Sequence, residues 1–119
     1  MKNNTVKNKS FDFALRVVKL YQYLCEKKKE FVISKQLLRS GTAIGALIRE
    51  AEQAESKLDF IHKMSIALKE ANESDYWIEL LYQSKYLENK SYNSIKTDLT
   101  EILKLLVSII KTTKVNLKK

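Results

Sequence analysis

The sequence predicts an all-α protein, an antiparallel up-down-up-down four-helix bundle. Three observations lead there. The 119 residues include no proline and two glycines, so little interrupts a helix. Apolar residues recur every three or four positions in four separate stretches. The connections between those stretches are short, which joins antiparallel neighbours. Helices are expected over residues 11–28, 33–54, 57–84 and 91–113, within one domain spanning residues 1–119. A chain of this length buries roughly two thirds of its unfolded surface, so a core forms without disulfides or metals.

The first helix has Ser10 as its expected cap and Asp12 in its first turn. Phe11, Ala14, Leu15, Val18, Tyr21 and Cys25 make one apolar stripe, and Phe13, Val17, Leu20 and Leu24 make a second beside it. A bundle helix needs one stripe about 100° wide, so the second wants another partner, either a broad core or a neighbouring subunit, and it is assigned to a subunit interface. The second helix offers Ile33, Leu37, Ile44, Leu47, Ile48 and Ala51 to the core. Gly41 and Gly45, one turn apart, bare one side of it for close approach of another backbone, which favours tight packing over a ligand site.

Ser56 followed by Asp59 resembles a capping box and opens the third helix. Phe60, Met64, Ala67, Ala71, Ile78 and Tyr82 share its core face, while Trp77 lies on another side near Glu70 and Glu73. Trp77 either seals a subunit interface or packs half-buried within the bundle. A turn over Tyr86 to Lys90 precedes the fourth helix, where Ser91 is the expected cap. Ile95, Leu99, Ile102, Leu103, Leu106, Ile109 and Ile110 form its buried face.

Net charge is +8, and the excess sits at the chain ends. In the up-down topology those ends lie together, which gathers Lys2, Lys7, Lys9, Lys111, Lys114, Lys118 and Lys119 into one basic rim suited to phosphates by counterion release. Lysine tails also serve solubility alone. Catalytic constellations are mostly excluded by composition. Asp59 and His62 have the spacing of half a bundle di-metal site, but there is one histidine in the chain, so no metal or other cofactor is expected. The single Cys25 sits on an apolar stripe and reads as inert, and it cannot form an internal disulfide. No glycine-rich phosphate loop occurs. The absence of an apolar run near ~18 residues and of a signal-like start leads to an expected cytoplasmic location with no membrane contact.

The run Arg39-Ser40-Gly41-Thr42-Ala43-Ile44-Gly45-Ala46-Leu47-Ile48-Arg49-Glu50-Ala51 lies within the segment Ile33 to Ala51, which resembles helix two of the four helix bundle family. That family is also called the 23S rRNA intervening-sequence protein family. The segment Lys57 to Leu81, with Phe60-Ile61-His62-Lys63-Met64 and Lys69-Glu70-Ala71-Asn72-Glu73, resembles its helix three. Weaker similarity runs from about Phe11 to Lys114. The family pattern falls on Arg39, Ile44, Ile48 and Glu50. This chain departs from it at Leu47, where many relatives carry Asn. Glu50 then has an ion pair as its simplest role, with Arg39 or with a lysine of another helix. The resemblance implies a small bundle with no enzymatic activity. Through the related accessory variability determinant of diversity-generating retroelements, it also implies a basic homopentamer.

Two functions of different classes follow. One is a non-enzymatic homo-oligomeric module associated with RNA or DNA, with the seven terminal lysines as its contacts and Phe13, Val17, Leu20, Leu24 and Trp77 as its interface. The alternative is a protein-protein interaction scaffold with no direct nucleic-acid binding.

Overall fold

The computed structural model describes residues 2–118, with side chains over 5–118. Four helices follow in order: α1 (Lys2–Lys27), α2 (Ile33–Ala51), α3 (Lys57–Gln83) and α4 (Asn89–Leu117). Each packs against its two neighbours in the ring α1–α2–α3–α4, which makes an up-down-up-down four-helix bundle 52 Å long and about 20 Å across.

Two helices start earlier than expected. α1 begins at Lys2, so Ser10 is not a cap but a fully buried mid-helix residue whose hydroxyl donates to the Lys7 carbonyl at 2.9 Å. α4 begins at Asn89 after Glu88, which puts Ser91 inside its first turn. The expected start of α3 holds. The Ser56 hydroxyl accepts the Asp59 N–H at 3.0 Å, and the Asp59 carboxylate accepts the Glu55 N–H at 3.2 Å.

The tight α1–α2 crossing depends on the two glycines. A β-carbon at Gly41 would stand 3.0 Å from Val17 Cγ2, and one at Gly45 would stand 3.3 Å from the Ser10 hydroxyl. The bare side of α2 is therefore filled by α1. On the α3 side of α2, small residues again permit close approach: the buried hydroxyls of Ser40 and Ser74 are 2.9 Å apart, near buried Ala67 and Ala71.

The core runs the length of the bundle through Leu37, Ile44, Ile48, Met64, Ile78, Leu99, Ile102 and Leu106, all at most 1 % exposed. Phe60 and Leu103, expected among them, are partly buried against it. The two stripes of α1 exchange roles. Phe13, Val17 and Leu24 are core residues at most 1 % exposed, and Leu20 packs against them. Phe11, Leu15 and Val18 face solvent at 46 %, 49 % and 36 %. The assignment of Phe13, Val17, Leu20 and Leu24 to an outer interface is thus corrected. Gly41 decides the phase, because Val17 is the side chain that fits against it. Trp77 is half-buried on the α2 side of α3, and its indole N–H donates to Glu73 at 3.2 Å.

Candidate nucleic-acid interface

The basic residues of α4 fall in a row. Lys104, Lys111 and Lys118 are seven residues apart, which puts them on one side of the helix at intervals of about 10 Å. Lys114 shares that side, and all four are exposed. From Leu99 onward α4 carries one carboxylate, Glu101, and it turns to α1, where it pairs with Lys9 at 3.6 Å. On α3, Lys57 and Lys69 are also exposed. The nearby acids of α3 point elsewhere: Asp59 caps its own helix, and Glu70 lies one turn before Glu73, which pairs with Arg39 of α2 at 3.1 Å. Between the two helices runs a groove of about 560 Å³, floored by Leu68, Leu103 and Val107 and bordered by Asn72, Lys104 and Lys111. No carboxylate lines it.

The structure brings part of the expected terminal rim together. Lys111, Lys114 and Lys118 are exposed at the end of α4. Lys7 instead pairs with Glu52 at the α2–α3 turn, 3.0 Å away, and Lys9 pairs with Glu101. The side chain of Lys2, and Lys119 as a whole, lie outside the described residues. Sequence reasoning missed Lys104. The seven-residue spacing from Lys104 to Lys111 was the available signal.

Above this face, at the other end of the bundle, a polar clamp ties α3 to α4. The rings of Tyr82 and Tyr92 stack at 3.8 Å, and the Tyr82 hydroxyl bonds to Asn89. Tyr92 donates to Glu79 at 2.5 Å, which raises the Tyr92 pKa. Hydrogen bonds from Gln83 and Tyr92 hold the Glu79 carboxyl below its ordinary value. Burial alone would lower the Lys96 pKa, but the ion pair with Asp75 outweighs it and the net shift is upward.

The residues carrying the family pattern are structural. Ile44 and Ile48 are core, Arg39 pairs with Glu73, and Glu50 pairs with Lys63 of α3 at 3.6 Å. Of the partners open to Glu50, the lysine of another helix is therefore the one it takes. Near this seam the Glu70 Oε1 is buried without a hydrogen-bond partner among the described residues. Among those residues no group of three or more His, Cys, Asp or Glu side chains could hold a metal ion, His62 is exposed, and Cys25 is half-buried. No described helix is long and apolar enough to cross a membrane.

Fold and site together define a small four-helix bundle with a lysine-lined face. The 23S rRNA-intervening sequence protein model matches residues 2–108, and the chain belongs to that family. It is similar to a crystal structure from Bacteroides thetaiotaomicron, described as a protein with unknown function from the S23 ribosomal protein family. That structure shares 62 % identity and a TM-score of 0.92, over 93 % of this chain and 99 % of the other. A comparison with curated proteins returned no match. Nothing in these comparisons points to the diversity-generating retroelement branch.

Proposed function

We propose that this protein is a non-enzymatic, self-associating bundle that binds RNA or DNA phosphates along the α3–α4 face. The observation that carries the reading is the row Lys104, Lys111, Lys114 and Lys118, fixed on one rigid helix beside a groove free of carboxylates. A rigid row engages phosphates at a smaller entropic cost than lysines on a flexible tail. Lysines position a backbone without reading base edges, so sequence specificity is weak.

Self-association uses the exposed α1 stripe of Phe11, Leu15 and Val18, next to Arg49 of α2, whose guanidinium lies 5.1 Å from the Phe11 ring centre. The expected assembly is a homopentamer, and repeating the lysine face in each subunit multiplies a weak contact. The experiment is a binding titration with structured RNA and with duplex DNA at two salt concentrations, on the natural protein and on a variant with the four α4 lysines changed to glutamine. Binding that weakens steeply with salt and is lost in the variant is the expected result. Salt-insensitive association with a protein instead would favour the scaffold reading, for which the apolar groove floor of Leu68, Leu103 and Val107 speaks.

A further inference from the structure

A second concave site lies away from the lysine face, on the α1–α4 seam near the α3–α4 turn. Its cavity measures about 390 Å³, within the ~300–1,000 Å³ range of small-molecule sites. Leu20, Leu87 and Ile95 form an apolar floor, and the rings of Tyr23 and Tyr86 form aromatic walls. Tyr23 stays 42 % exposed at the mouth.

The polar groups are arranged with a direction. Arg16 and Lys19 stand one turn apart on α1. The Arg16 guanidinium is held at 2.7 Å by Asp98 and at 2.7 Å by Ser94, which uses two of its five N–H donors and fixes its plane. Its remaining donors are available to an anion. Glu88, at the start of α4, is the carboxylate lining the cavity, and it comes from a different element than the two cations. Arg16 has Asp98 as its counter-ion, so the cavity has little net charge. What it offers is a cationic side, an aromatic middle and an acceptor side.

We infer that this cavity binds a 5′-ribonucleotide unit. The phosphate meets Arg16 and Lys19, the base lies against Tyr23 and Tyr86, and a ribose hydroxyl donates to Glu88. Guanidinium groups bond phosphate oxygens strongly, and aromatic rings stack on bases of any sequence. The unit comes either from a free mononucleotide or from the 5′ end of an RNA strand. This inference is independent of the α3–α4 lysine face, so the two fail separately.

The test is a titration of the intact protein, followed by amide chemical shifts, with AMP, adenosine, ribose 5-phosphate and a 5′-phosphorylated hexaribonucleotide. AMP should saturate at or below about 1 mM and shift amides around Leu20 and Leu87. Adenosine, lacking phosphate, and ribose 5-phosphate, lacking the base, should each bind about tenfold more weakly. Tyr23→Ala and Lys19→Gln change exposed side chains, so melting should stay unchanged while AMP affinity falls about tenfold. The variant of the four α4 lysines should bind AMP normally. Equal loss of hexaribonucleotide binding in Tyr23→Ala assigns the site to a strand end, and loss of AMP binding alone assigns it to a free nucleotide. Absence of saturable AMP binding, or binding untouched by both Tyr23→Ala and Lys19→Gln, overturns the inference.

Discussion

Glu30 shows how one side chain organises a turn. It is 8 % exposed, and its carboxylate accepts the N–H groups of Val32, Ile33 and Ser34 at 3.1, 2.9 and 2.7 Å. These are the orphan donors at the start of α2, where Val32 supplies no side-chain cap. Burial by itself would raise the Glu30 pKa, but the three backbone donors outweigh it and the net shift is downward. Its stabilisation is therefore present above the ordinary carboxylate range and fades as pH falls through the lowered value. Glu30→Ala should cost about 1–2 kcal/mol at pH 7 in urea unfolding, and the gap to the natural protein should narrow as pH falls below the ordinary carboxylate range. A gap that does not change with falling pH would refute the cap. The glycines give a contrast at the same scale. In Gly41→Ala the new carbon meets both methyls of buried Val17, at 3.0 and 3.1 Å, and a β-branched side chain inside a helix has no rotamer to escape into. Overpacking should exceed the gain in helix propensity and leave a net loss of about 1 kcal/mol. Gly45→Ala meets Ser10 at 3.3 Å or more and should be close to neutral. Lys85, at φ 70°, ends α3 in a left-handed conformation, with Tyr86 N–H bonded to the Leu81 carbonyl at 2.9 Å. Lys85→Gly should raise stability by about 1 kcal/mol in thermal unfolding.

At the scale of helices, number, type and order were legible because the 3.6-residue pattern and the lack of proline leave no alternative. Boundaries and one phase were not. The ten residues before Phe11, eight of them polar, look like a tail, yet Val6 and Ser10 are fully buried and α1 extends back by more than two turns. A helix apolar over most of its circumference does not declare which stripe faces inward. The choice was settled by the surface of α2 at Gly41 and Gly45, a tertiary fact. Leu24→Ala should therefore cost about 2–5 kcal/mol. Leu15→Ser, on the exposed stripe, should change unfolding of the monomer by less than about 0.5 kcal/mol and lower the assembly mass in light scattering. A large stability loss for Leu15→Ser with unchanged mass would reverse that assignment. The Glu30 cap escaped sequence reasoning because the acid precedes its helix by three residues, outside the usual capping position.

For the molecule as a whole, net charge pointed to an anionic partner, but summing lysines along the chain did not place them. Ion pairs with Glu52 and Glu101 take Lys7 and Lys9, while Lys104, hidden in an apolar stretch of sequence, joins the exposed row. Charge separation across α4 depends on helical phase: Glu101 turns to α1 and the lysines turn to α3. The measurement that tests the account most directly is the salt dependence of duplex RNA binding, compared between the natural protein and the Lys104, Lys111, Lys114 and Lys118 to glutamine variant. Each phosphate contact contributes about −0.9 to the slope of log affinity against log salt on B-form DNA, and a value of that order is expected for an RNA duplex. The account predicts a steep slope for the natural protein and one flatter by about 3 or more in the variant. Equal slopes in the two proteins, or no binding at low salt, would contradict it.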